Sequence, residues 1–171
     1  MSTPAPVRDS ALSRPGVRRG VLLLGALLLA GADLVIKALA ETNLSHGEVI
    51  DTPLLTIRLL YNTGVAFSLG AALPTGIVVA GTGIIIAGLL SWLVVSAPKM
   101  SRTSFTGGIL VAGGALGNFV DRLDGQGVVD YLHSGWFPTF NLADVFVTVG
   151  VAVLVLGTIL PAKRTATEKG A

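Results

Sequence analysis

Carboxylates are scarce in this chain and unevenly placed. Four of its ten acidic residues, Asp121, Asp124, Asp130 and Asp144, fall within residues 113–144. That stretch begins as an apolar helix, breaks into a polar loop and ends where another apolar helix starts. Two carboxylates brought close together repel, so one pKa rises and the pair holds a single proton. The ionised member can deprotonate a water. The protonated member can polarise a carbonyl and later help protonate an amine leaving group. Asp130 lies between Val128-Val129 and Tyr131, apolar company for a loop aspartate. Asp144 falls at the third helical position after a candidate N-cap, Asn141, where capping and the helix dipole favour an ionised acid. Asp130 is therefore expected to hold the shared proton. The two acids are fourteen positions apart, too far for one helix face, so the loop must fold back to join them.

Other chemistries find less support. The chain has no cysteine, which excludes disulfides, thiolate metal sites and a cysteine nucleophile. His46 and His133 are the only histidines and show no metal-ligand spacing, so no metal or cofactor is expected. Ser134 has no nucleophile-elbow context. Basic residues gather at the chain ends and in one short turn without interleaved aromatics, which argues against nucleic acid.

Three further polar groups stand out. Asp33 and Lys37 are four apart on an apolar helix and share a face. An ionisable group at mid-span costs about 2.5–3.5 kcal/mol on insertion scales. Either the two form a mutual ion pair with Lys37 snorkelling to the outer surface, or they orient the site. The stretch Asn62-Thr63-Gly64-Val65-Ala66-Phe67-Ser68 is a turn, or an extended segment offering hydrogen bonds to a peptide. Asn118, Asp121 and Arg122 close an apolar helix. Either Arg122 anchors it at the interface with Asp121 as its partner, or Arg122 fixes a substrate carbonyl or another acid.

The elements that must position these groups are membrane helices. The chain is 51% hydrophobic and 13% charged, against about 25% charged for an ordinary soluble domain. Its hydropathy predicts an all-α polytopic fold. One membrane domain covers residues 20–161, with spans at about 20–40, 74–96, 104–122 and 141–160. The third span carries Gly107, Gly108, Ala112, Gly113, Gly114, Ala115 and Gly117, small residues that let helices approach closely, so it is expected to be the central packing helix. Residues 42–72 mix β-formers with turn residues and predict a small sheet at the membrane surface. Residues 123–140 read as an outer loop, and 1–19 and 162–171 as polar tails, the first disordered. Most cations lie in the tails and in the Lys99/Arg102 turn. The positive-inside rule then puts both termini in the cytoplasm and the acids at the outer face. A proton-coupled carrier using Asp33, Lys37 and Asp144 fits poorly with four spans and no inverted repeat.

Five blocks taken in order resemble bacterial lipoprotein signal peptidases, the signal peptidase II family. They are Asp33…Lys37; Asn62-x-Gly64-x-Ala66-Phe67-Ser68; Gly114-x-x-Gly117-Asn118-x-x-Asp121-Arg122; Val128-Val129-Asp130; and Asn141-x-Ala143-Asp144. The resemblance implies four transmembrane helices with a small extracytoplasmic β-cradle and a short outer helix. It implies an aspartyl endopeptidase that cuts prolipoproteins before a diacylglyceryl-modified cysteine, with prolipoproteins and membrane lipids as partners and a monomeric state. Its catalytic pair falls on Asp130 and Asp144. Its other motif positions fall on Asp33, Lys37, Asn62, Gly64, Gly114, Asn118, Asp121, Arg122, Asn141 and Ala143. Two departures are Leu34, where a polar residue is usual, and Tyr131, where phenylalanine is usual.

Overall fold

The computed structural model describes residues 14–62 and 74–160. Helix α1 spans Pro15–Leu44, strand β1 Val49–Asp51 and strand β2 Thr56–Asn62. Helix α2 spans Thr75–Ser96, and a single 3-10 turn, Ala97–Lys99, leads into helix α3, Arg102–Arg122. Strand β3, Val128–His133, and helix α4, Leu142–Ile159, complete the order. All four α-helices are long and apolar enough to cross a membrane.

Helix α1 starts five residues before the expected span, so residues 15–19 are helical rather than a disordered tail. Pro15 suits the first helical turn, where its missing N–H costs nothing. The basic residues that read as tail are anchors. The Arg18 guanidinium stacks 4.6 Å above the Phe105 ring and donates to the Met100 carbonyl at 2.9 Å. Arg19 Nε donates to the Val94 carbonyl at 3.2 Å. Arg18 thus holds α1 to the short connection and the start of α3, and Arg19 holds it to the last turn of α2.

Helices α2 and α3 bury their residues in opposite ways. Helix α2 buries only Val78 and Leu93, while Ile84 and Ile85 stand exposed on its surface. Such an all-round apolar helix needs lipid around it. Helix α3 buries eight residues, five of them glycines, and is the central packing helix its composition predicted. A Cβ on Gly107 would strike Leu154 N and the Gly150 carbonyl. One on Gly150 would strike Val111, and one on Gly157 would strike Ser104 N. Backbone therefore meets backbone along the α3–α4 seam. Ser101 and Ser104 hydroxyls donate across it to the Gly157 and Leu154 carbonyls at 2.9 and 3.2 Å.

The sheet is antiparallel, in the order β1-β2-β3. Its third strand lies inside the segment expected to be an outer loop. Val128-Val129-Asp130-Tyr131 is buried on both faces, so the polar-apolar alternation that marks a strand is absent. Between Ile57 and Leu60 the β2–β3 register slips at a bulge. Beyond it Leu60 pairs Asp130 and Asn62 pairs Val128, which puts Asn62 and Asp130 on one face. Among the described residues no short outer helix is present. Residues 63–68, Gly64 among them, lie outside the described residues.

Candidate active site

Asp130 comes from β3 and Asp144 from the first turn of α4. The loop between them does fold back. Tyr131 and Leu132 N–H donate to the Phe140 carbonyl at 3.1 and 2.8 Å, and Phe140 N–H returns to the Leu132 carbonyl at 2.9 Å. That closure delivers Asn141 beside Asp130. The fully buried Asn141 then touches both acids. Its Nδ2 donates to Asp130 Oδ1 at 2.7 Å, and its backbone N–H donates to Asp144 Oδ2 at 3.2 Å. Its Oδ1 accepts from Asp144 N–H at 2.9 Å, completing the reciprocal capping box. Asp130 and Asp144 line one cavity of about 310 Å³ together with Asn62, Asn118 and Arg122. Burial, and secondly the charge of Asp144, push the Asp130 carboxyl up to about 6. Amide hydrogen bonds from Asn62, at 3.2 Å, and from Asn141 oppose that rise.

The start of α4 is held by three other elements. An unaided helix leaves its first four N–H groups without partners. Here Leu142 N–H donates to the Tyr131 hydroxyl at 3.3 Å and Ala143 N–H to Asp33 Oδ1 at 2.8 Å. Asp144 N–H goes to the Asn141 side chain and Val145 N–H to the Asn141 carbonyl at 3.4 Å. Strand β3, helix α1 and the cap thus fix the backbone that presents Asp144. Burial pushes the Tyr131 phenol up to about 12, so its hydroxyl stays neutral.

Lys37 ties this arrangement together. It does not snorkel; it is 2% exposed. Its ammonium meets Asp33 Oδ2 at 2.8 Å, Asp121 Oδ2 at 2.8 Å and Asn118 Oδ1 at 2.9 Å. Two ion pairs and one hydrogen bond surround the ammonium, so a buried cation becomes tolerable. The ion partner of Asp121 is therefore Lys37, on another helix, and not the adjacent Arg122. Asp121 Oδ2 also accepts Val129 N–H at 3.1 Å, which steadies β3 next to Asp130. Asn118 passes the connection on, its Nδ2 donating to Asp144 Oδ1 at 2.8 Å. Arg122 wraps back to the Asn118 carbonyl at 2.8 Å while lining the cavity.

Two of the predicted positions act through size. A Cβ on Gly114 would strike the Ala143 carbonyl, and Ala143 itself is fully buried. A Cβ on Gly117 would stand 2.6 Å from Asp33 Oδ2, so that glycine makes room for the carboxylate. Of the predicted site, Asp33, Lys37, Asn62, Gly114, Asn118, Asp121, Arg122, Asp130, Asn141, Ala143 and Asp144 converge on one region. His133 is turned elsewhere, with Nδ1 3.4 Å from the Thr139 hydroxyl. Sequence reasoning missed the Tyr131 hydroxyl as a helix cap. Reading β3 as a strand would have found it, because Tyr131 then faces opposite to Asp130.

Four helices of membrane-crossing length and a small sheet thus hold two carboxylates that share one cavity. The signal peptidase II family model matches residues 25–160. The chain is 36% identical over 167 residues to a lipoprotein signal peptidase of Sinorhizobium fredii, covering 95% of this chain and 98% of that one. It is 35% identical over 161 residues to one of Francisella tularensis subsp. novicida, covering 90% and 98%. Two solved bacterial membrane enzyme structures, determined in meso at 1.9 and 2.3 Å resolution, superpose with TM-scores of 0.69 and 0.70. Their identities are 26% and 28%, and they cover 84% and 89% of this chain and 95% and 94% of their own. The chain belongs to the signal peptidase II family.

Proposed function

We propose that this protein removes signal peptides from prolipoproteins, with Asp130 and Asp144 as the catalytic pair, cutting before a diacylglyceryl-modified cysteine. The observation that carries the reading is Asn141, one buried amide residue hydrogen-bonded to both acids at the edge of a shared cavity. Water between the carboxyls gives a proton to ionised Asp144 and attacks the scissile carbonyl carbon. Asp130 supplies its proton to the carbonyl oxygen. Collapse of the tetrahedral species breaks the C–N bond, returns a proton to Asp130, and protonates the departing amine from Asp144. Burial gives Asp130 its tendency to hold a proton.

The other motif residues serve the pair. Arg122 and Asn62 line the cavity where a substrate carbonyl would lie. Lys37, Asp33, Asp121 and Asn118 hold the helices, and Gly114 and Ala143 let α3 and α4 meet. Gly64 is assigned to substrate positioning on the family motif alone. The cation distribution supports cytoplasmic termini and a cavity at the outer face. The enzyme works as a monomer among membrane lipids, without a cofactor.

The test is incubation of the purified protein with a lipid-modified and an unmodified prolipoprotein, read by mass. Only the modified substrate is expected to lose its signal peptide. Asp130→Asn and Asp144→Asn should each lower the rate by about 10³-fold or more while the protein stays folded in detergent. Near-normal cleavage by either variant removes that acid from the mechanism.

A further inference from the structure

A cavity of about 620 Å³ opens at the end of the bundle opposite the catalytic pair. The last turns of α2 and α4, the 3-10 turn and the start of α3 line it. Trp92, Met100, Leu154 and Leu160 give it apolar walls, and Lys99 adds a cation. Trp92 is 50% exposed and Leu160 58% exposed, so the cavity opens outward from the bundle. Its hydroxyls are already engaged. Those of Ser101 and Ser104 donate across the α3–α4 seam, and Thr158 Oγ1 donates to the Val155 carbonyl at 2.6 Å. The Lys99 side chain is exposed and forms no ion pair among the described residues. Charge at this end has one sign. Arg14, Arg18, Arg19, Lys99 and Arg102 gather there, and among the described residues no acid does.

We infer that this cavity binds one anionic phospholipid of the bilayer, with its phosphate at Lys99 and an acyl chain in the gap between α2 and α4. The inference does not depend on the proteolytic reading above. A basic pocket between membrane helices suits an anionic headgroup. Phosphate oxygens accept hydrogen bonds, and the Lys99 ammonium and the Trp92 indole N–H are donors. A zwitterionic headgroup would bring its own ammonium among these cations with no carboxylate to meet it, so the anionic class is preferred. The apolar walls offer contact to an acyl chain, which a free phosphate lacks. Helix α2 buries only Val78 and Leu93, so a lipid wedged at its last turn ties it to α4.

The test is native mass spectrometry of the full-length protein in detergent, titrated in turn with phosphatidylglycerol, phosphatidylethanolamine and inorganic phosphate. The wild type should bind one phosphatidylglycerol about fivefold or more tightly than phosphatidylethanolamine, and inorganic phosphate more weakly than either. Lys99→Gln should weaken phosphatidylglycerol binding about fivefold. Thr158→Trp fills the cavity from α4 with every cation intact, and should weaken it at least as much. Both residues are exposed, so neither change threatens the fold. Arg14→Gln removes a cation of the same end that does not line the cavity, and should change binding less than about twofold. Equal binding of the two lipids would overturn the inference, and so would equal losses in Lys99→Gln and Arg14→Gln. Inorganic phosphate bound as tightly as the lipid would make this a free-anion site and overturn it too. A Thr158→Trp protein that binds phosphatidylglycerol as the wild type does would remove the lipid from the cavity.

Discussion

The two ends of the α3–α4 pair are built on different physics. At the Ser104–Gly157 end, contact is steric: glycine backbones abut, and two serine hydroxyls reach the facing carbonyls. At the Gly114–Asp144 end, the same close approach is joined by buried charges and amides from α1 and β3. Steric packing sets a distance and tolerates small rotations. A hydrogen-bonded ion cluster sets direction as well, because a hydrogen bond weakens as donor and acceptor lose alignment. Directional control sits where the two carboxylates line one cavity, and plain packing suffices elsewhere.

Removing the centre of the directional end should have the largest effect. Lys37→Met leaves Asp33 and Asp121 buried without their cation, which should cost about 3–5 kcal/mol. Thermal unfolding in detergent checks this, and cleavage of a lipid-modified prolipoprotein should fall at least about 100-fold. A Lys37→Met enzyme of wild-type stability would mean that the cluster contributes no orientation.

Matched glycine substitutions separate the ends. Gly114→Ala and Gly157→Ala each press a methyl into facing backbone, and each should cost about 1–3 kcal/mol. Only Gly114→Ala displaces the carbonyl of Ala143 beside Asp144, so only it should lose about 100-fold in kcat. Equal activity losses in the two variants would erase the distinction between the ends.

The smallest change tests a single amide. Asn141→Ser preserves a capping oxygen while losing the reach to Asp130. Stability should fall by about 1–3 kcal/mol, because the Val129 carbonyl and Asp130 lose a buried donor, and kcat should drop about tenfold. A stability loss with full activity would make Asn141 a cap and nothing more.

Much of this was legible in the sequence, for reasons that differ by residue. Helices α2, α3 and α4 announce themselves by apolar runs of membrane length, and the glycines of α3 mark its central place. The Asn141–Asp144 cap was legible because capping is local, complete within four residues. Strand β3 was not, because burying both faces of Val128–Tyr131 erases the alternation that identifies a strand. The true setting of Lys37 was hidden as well. Its partners Asn118 and Asp121 lie more than eighty positions away, and no local rule links them to an apparent snorkelling lysine. Tyr131 read only as a departure from the family's phenylalanine until its hydroxyl met the first amide of α4.

The central claim is that Asp130 and Asp144 feel each other across one cavity. The most direct measurement is the titration of Asp130, followed by carboxyl infrared or ¹³C signals in full-length protein in detergent. In the wild type it should protonate near 6. In Asp144→Asn the neighbouring negative charge is gone, so the Asp130 pKa should move down, toward its ordinary value. An Asp130 that titrates identically in both proteins would contradict the account.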